Sequence, residues 1–284
     1  MNFQRDRPDY STAANLPDKE RHKINLLPIE QAAQIEWQRY KDTDNSIIGD
    51  VFVGMTVTVN NCQSCPYVSK KFDPWYMVQL KFPDECHVAK GTISNSTPRK
   101  LITLEELLAH TWDNEEKIDD YTCEKCHVKG DLIRRDRFAV LPEYLVLYFP
   151  RFETEGGDII GTAGRTRYQA HKCRTIINFP ERGIDLTRYW LDNNNSKSPK
   201  EAPSELKPPF LYECYAAISH SGTTTQGGHY IALARSPDKN NLGSSKGAGP
   251  GDWHSFSDVS INNFSFSQIM SQEVVVLFLR RQKN

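Results

Sequence analysis

An excess of charge of either sign is missing from this 284-residue sequence: 35 Lys and Arg stand against 36 Asp and Glu, a net charge of −1. Without a basic surplus there is no electrostatic footprint for polyanions, so neither nucleic acid nor a membrane surface is an expected partner. No apolar run approaches the roughly 20 residues that a membrane-crossing helix needs. The polar opening MNFQRDRPDYSTAANLPDKERHK has no apolar stretch of the signal-peptide kind. A soluble intracellular protein, of cytoplasm or nucleus, is the expectation. Cysteine is sparse and odd in number, seven in all, which excludes a fully paired disulfide framework. In a reducing compartment the two C-x-x-C pairs among them read as metal ligands sooner than as disulfides.

What is present is a globular composition, 38% hydrophobic, with enough length for a sizeable core. Residues 1–23 are charged and short of large apolar side chains, and are expected to form a disordered tail. After them, PIEQAAQIEWQRYK begins with a proline suited to a first helical turn and lines up Ile29, Ala33, Trp37 and Tyr40 on one helical face. VFVGMTVTV, residues 51–59, alternates as a strand does, and LPEYLVLYF, residues 141–149, is an apolar run suited to a buried strand. Thr103 and Glu106 stand at capping-box spacing, which starts a short helix near residue 104. YECYAAISH, HYIALAR and EVVVLFLRR predict a C-terminal third made mostly of sheet. Two stretches, 192–209 and 236–252, are rich in Asn, Ser, Lys, Gly and Pro and read as flexible surface insertions.

Cys62 and Cys65 follow the alternating strand in NNCQSCPY, and Cys123 and Cys126 lie in YTCEKCHV. Two thiolates three residues apart in a tight turn face one ion, and two such turns complete a tetrahedral four-cysteine zinc site. Four thiolates leave no open position, so zinc here is structural. The plainer alternative is four unliganded thiols in turns. His127, beside Cys126, is read as a surface residue because four thiolates already suffice.

His229 follows two glycines in SHSGTTTQGGHYIALAR and opens a strand. A histidine acting as general base needs a neighbour that accepts its second ring N–H, and Ser257 or Asp258 in WHSFSDVS offers one. Locally, a structural histidine and a Ser-Asp turn account for the same residues.

The order of the pieces adds to this. CQSC, CEKC, LPEYLVLYFPRF, INFPERGIDLTRYW, YECYAAISHSG, GGHYIALAR, WHSFSDVS and VVVLFLRR resemble, over about residues 47–281, the ubiquitin-specific proteases, which are papain-like cysteine deubiquitinases. The resemblance implies an α+β fold. It has zinc-stabilised fingers over about 47–150 that grip ubiquitin and a mostly antiparallel palm sheet over about 141–284. It implies His229 as general base, with Ser257 at the position where the family usually carries Asp or Asn, and Asp258 at a following acidic position that assists. A serine orients an imidazole but brings no charge to an imidazolium, so a differently tuned base is expected.

The resemblance also implies what is not seen here. The family's Gly-Asn-Thr-Cys segment supplies the nucleophile at a helix start, together with oxyanion-stabilising groups that contribute about 3–4 kcal/mol. None of Cys86, Cys173 and Cys214 follows a glycine-containing turn into a helix start, where a thiol would be activated. The fold is therefore expected to be incomplete, with most of the helical thumb absent and the sheet face that meets it uncovered. The chain alone is expected to be inactive. A truncated deubiquitinase is the favoured reading. The alternatives are an inactive ubiquitin-binding module, a half completed by another chain that supplies the thumb and nucleophile, and a zinc-stapled structural protein.

Overall fold

The structure, a computed structural model, describes residues 17–44, 46–86, 100–155, 169–191, 208–222, 227–236 and 252–282. Most of the predicted tail and of both predicted insertions lie outside them. In chain order the strands are β1 (Gly54–Cys62), β2 (Val68–Trp75), β3 (Val78–Gln79), β4 (Leu101–Thr103), β5 (Glu116–Thr122), β6 (Lys129–Val140), β7 (Tyr144–Tyr148) and β8 (Phe152–Glu155). They continue with β9 (Gln169–Lys172), β10 (Ile176–Asn178), β11 (Arg182–Asp185), β12 (Leu211–Ser221), β13 (His229–Arg235), β14 (Trp253–Ser257), β15 (Ser260–Phe264) and β16 (Val274–Arg281).

Two sheets carry the architecture. One is four-stranded and antiparallel, in the order β2-β1-β6-β5. The other runs β15-β14-β13-β12-β16-β7-β3, with β11 beside β12, and only its short β3 edge is parallel. The mixed α+β class and the antiparallel character expected from the sequence are both present. Apolar residues of both sheets, among them Met55, Val57, Phe138, Leu145, Leu147, Leu233 and Leu277, join one continuous buried core.

The helix Ile29–Thr43 buries Ala32, Ala33, Trp37 and Tyr40, close to the face read from the sequence. The helix Leu104–Trp112 starts with the complete Thr103–Glu106 capping box. Two boundaries differ. Residues 18–23, assigned to the tail, belong to the helix Asp18–Leu26. It is held by packing and polar bonds that sequence pattern does not reveal: Ile24 is buried, the Asn25 side chain bonds Tyr67 and the Lys70 N–H, and the Lys70 ammonium donates to the carbonyls of Asn25 and Leu27. The strand expected from residue 51 begins at Gly54, because Ser46 caps a short helix, Ile47–Phe52, by accepting the Gly49 N–H.

The larger sheet has two unlike faces. Leu145, Leu147, Leu277, Leu279, Ala217 and Leu233 line the buried one. The registers put Tyr144, Val146, Tyr148, Val276, Phe278, Ile218, Ala232, Phe256 and Ile261 together on the other, where they are half-buried or exposed. Tyr230, Phe256 and Ile261 keep 59%, 40% and 66% of their surface in water.

Arg151 is 1% exposed and links three segments of this sheet's surroundings. Its Nε donates to Val274 O at 2.7 Å and its Nη1 to the carbonyls of Cys173 and Thr175 at 3.0 and 2.7 Å, while the guanidinium lies over the Phe82 ring. Replacing it by methionine leaves three buried carbonyls without these donors, each costing about 1–3 kcal/mol. Arg151→Met should therefore lose at least about 3 kcal/mol in denaturant unfolding; a loss under about 1 kcal/mol would show that water takes over these bonds.

Candidate active site and metal centre

β1 ends at Cys62 and β2 begins at Val68, so the first cysteine pair occupies the turn of that antiparallel hairpin. The second pair occupies the turn between β5 and β6. Pairing of β1 with β6, which sets Cys62 opposite Leu132, brings the two turns to one end of the sheet. That pairing is the chain's return across the long sequence gap. The four sulfurs lie within 4.8 Å of one another, and Cys65 Sγ and Cys123 Sγ are 3.8 Å apart. Zinc–sulfur bonds of about 2.3 Å arranged tetrahedrally require sulfurs about 3.8 Å apart. Backbone N–H groups of Ser64 and Lys125 point at Cys62 Sγ and Cys123 Sγ. The N–H groups of Cys126 and Lys125 bring the Cys123 thiol down to about 7, while for Cys65 the Tyr67 N–H is outweighed by burial and bonds to the other three thiols, which push it up to about 12, so in the metal-free cluster the thiolate character gathers on Cys123. The donor set fits a structural metal ion. His127 is exposed, stands outside the cluster and makes the turn with a positive φ of 57°.

At the far end of the chain, alternation along β13 puts His229, Ile231, Leu233 and Arg235 on one side. Leu233 pairs with Ser255 and Arg235 with Trp253. Continued by two residues, the same register sets Ile231 opposite Ser257, which makes His229 a diagonal neighbour of Ser257, within reach of a ring. His229 Nε2 and Ser257 Oγ are 2.7 Å apart. Ser257 and Ser260 close a two-residue turn in which Asp258 has a positive φ of 50°, tolerable for aspartate. This turn leaves Asp258 exposed, with Oδ2 3.9 Å from the same ring nitrogen, beyond hydrogen-bond length. Of the two partners left open by the sequence, Ser257 is in contact with His229 and Asp258 is one step behind.

The backbone is pinched into a neck just before His229. Gly222 and Gly228 both have positive φ, 124° and 152°, and face each other so closely that a Cβ on Gly222 would stand 2.7 Å from Gly228 Cα. Only glycine fits both positions. Among the described residues His229 Nδ1 has no hydrogen-bond partner, and none of the seven cysteines, all described, bonds to the ring. Cys86, Cys173 and Cys214 are buried, and burial pushes the Cys214 thiol up to about 12. None of the seven is in a disulfide. Sequence reading missed the polar cluster behind this site, Lys172, Arg174, His220 and Glu273, because its members come from three separated segments with no shared motif.

A family model described as ubiquitin carboxyl-terminal hydrolase matches residues 8–279. Ubiquitin carboxyl-terminal hydrolase 2 of Homo sapiens is 29% identical over 262 residues, covering 92% of this chain and 36% of that protein. The Gallus gallus protein of the same name is 28% identical, covering 90% of this chain and 58% of its own length. Among solved structures, the SAGA Ubp8/Sgf11/Sus1/Sgf73 DUB module bound to ubiquitin aldehyde superposes with a TM-score of 0.60 at 23% identity, over 90% of this chain and 47% of that one. The yeast SAGA DUB module with a mutant Sgf73 gives 0.59 at 21%, over 90% and 48%. These structures share the fold. The chain thus spans about a third of the human relative and about half of the solved chains.

Proposed function

This chain belongs to the ubiquitin carboxyl-terminal hydrolase family, and from that premise we propose that it is the base-bearing part of a thiol-dependent deubiquitinase, which cleaves conjugates at the C-terminal glycine of ubiquitin or a similar modifier. The observation that carries the reading is the 2.7 Å contact between His229 Nε2 and Ser257 Oγ. The proposal takes Nε2–H as the donor to the serine oxygen, which leaves Nδ1 as the unprotonated nitrogen. A thiol delivered to Nδ1 loses its proton there and attacks the isopeptide carbonyl. The imidazolium then returns the proton to the leaving lysine amine, and a water activated at the same nitrogen releases ubiquitin from the thioester. Ser257 orients the ring throughout. Asp258, 3.9 Å away, contributes charge through solvent, weakly because it is exposed.

No cysteine of this chain takes the nucleophile's place in the proposal. The thiol and its oxyanion donors come from a segment that this sequence does not contain, so the 284 residues alone are inactive. The half-exposed apolar face of the larger sheet is the surface on which the thumb, in the same or another chain, packs. Four cysteines hold zinc as a structural ion that fixes the hairpin turns of the smaller sheet, the fingers. The two C-x-x-C pairs, read as metal ligands, fit a reducing cytoplasm or nucleus, and no described helix is long and apolar enough to cross a membrane. A second reading, a ubiquitin-binding module without hydrolysis, is favoured by the absence of any cysteine beside His229. Titration of the zinc-loaded chain with ubiquitin separates the two from a purely structural role, since both expect binding and the structural role expects none. A ubiquitin C-terminal electrophile tests the missing nucleophile directly.

A further inference from the structure

Behind the glycine neck lies a buried ion pair that the proposed mechanism does not use. The Lys172 side chain is 2% exposed, and its Nζ is 2.6 Å from Glu273 Oε2, at 7% exposure. The same ammonium donates to His220 O at 2.7 Å and Gly222 O at 2.9 Å. Glu273 in turn accepts Arg174 Nε at 3.0 Å, and its backbone carbonyl accepts the His220 N–H. His220 is thus held at both backbone atoms by one residue, directly through its N–H and through Lys172 at its carbonyl. Its ring packs against Phe152 and Tyr230 and forms the floor under Gly228, where a Cβ would stand 2.2 Å from His220 Nε2. Ser221, the next residue, pairs with His229 across the ladder and bonds its carbonyl.

A surface lysine donating to two carbonyls would be ordinary. Burying an ammonium is costly unless it is paired and fully bonded, and here both its carboxylate partner and its two acceptors converge on the first residues of the neck from which β13 starts. We propose that Lys172 is a positioning residue for His229. Held by Glu273, it fixes His220 O and Gly222 O, seats Gly228 on the His220 ring, and so sets the angle at which His229 meets Ser257. The role rests on the reading of His229 as base, but not on any activity of this chain.

The test is the ring tautomer of His229, read by long-range 1H–15N correlation on the uniformly 15N-labelled 284-residue chain. The parent should show two well-separated ring nitrogen shifts, Nε2 protonated and Nδ1 bare. In Lys172→Met the two shifts should move toward each other, as they do in a free imidazole, and Lys172→Arg should restore most of the separation. If Lys172→Met does not fold, Gly228→Ala disturbs the neck from the other side with the ion pair intact, and the same convergence is expected. Unchanged His229 shifts in a folded Lys172→Met or Gly228→Ala chain would overturn the proposal. Failure of the base reading itself would appear elsewhere, as an unaffected rate in His229→Ala of a nucleophile-bearing form.

Discussion

Stripping zinc from the four-cysteine centre should unfold the finger sheet while leaving much of the palm sheet in place. The binding free energy of a structural zinc site, about 10–16 kcal/mol in peptides that fold on metal, is comparable to or larger than the whole stability of a typical domain, about 5–15 kcal/mol. β1, β2 and β6 join the main core only near their palm ends, through Met55, Val57, Phe72 and Phe138; toward the cysteine turns Leu132 is buried but stands outside that core, and β5 has no buried residue. Toward the cysteine turns the strands carry charged pairs such as Arg134–Glu116 and Lys117–Asp131, exposed and worth little. With zinc bound as proposed, the metal is the main fastening at that end. Elemental analysis should give one zinc per chain, and hydrogen exchange after chelation, or in Cys123→Ser, should show lost protection in β5 and the outer halves of β1, β2 and β6. Full protection in a zinc-free chain would show that the thiols are idle.

Replacing His229 by alanine in a form that carries the nucleophile should lower kcat/KM by about 10²–10⁴-fold, the usual contribution of a general base. The partners should rank by distance. A neutral hydrogen bond contributes about 1 kcal/mol, so Ser257→Ala should cost about fivefold. Asp258→Ala, acting from 3.9 Å in solvent, should cost less than Ser257→Ala. Ser257→Asp should raise kcat, since a carboxylate stabilises the imidazolium as serine does not. A larger loss in Asp258→Ala than in Ser257→Ala would assign the orienting role to the aspartate. Steady-state hydrolysis of a ubiquitin C-terminal fluorogenic conjugate reads all four variants.

Much of this was legible in the sequence where a local rule and the tertiary outcome agree. Thr103 and Glu106 announced their helix because a capping box is complete within four residues. The strand opening at His229 was legible because glycines precede an apolar alternation. The cysteine turns declared themselves by spacing, while their convergence depended on β1 pairing with β6, a long-range register that spacing cannot specify. β6 itself, Lys129–Val140, was not legible, because its charged half matches no buried-strand pattern and is held by its two neighbours. The helix Asp18–Leu26 hid in a polar stretch because bonds from Lys70 and Tyr67 stabilise it from outside. Lys172 and Glu273 could not have been singled out: a lone lysine and a lone glutamate, far apart in the chain, meet only after the palm sheet has formed.

The division of labour proposed here, with base and orienting serine in this chain and the attacking thiol outside it, is tested most directly by incubating the folded, zinc-loaded 284-residue chain with a ubiquitin bearing a C-terminal cysteine-reactive electrophile. Intact mass spectrometry should show no adduct on any of the seven cysteines, while a form carrying the nucleophile segment should be labelled at a rate that falls with His229→Ala. A stoichiometric adduct on Cys86, Cys173, Cys214 or a finger cysteine of the short chain would contradict the account.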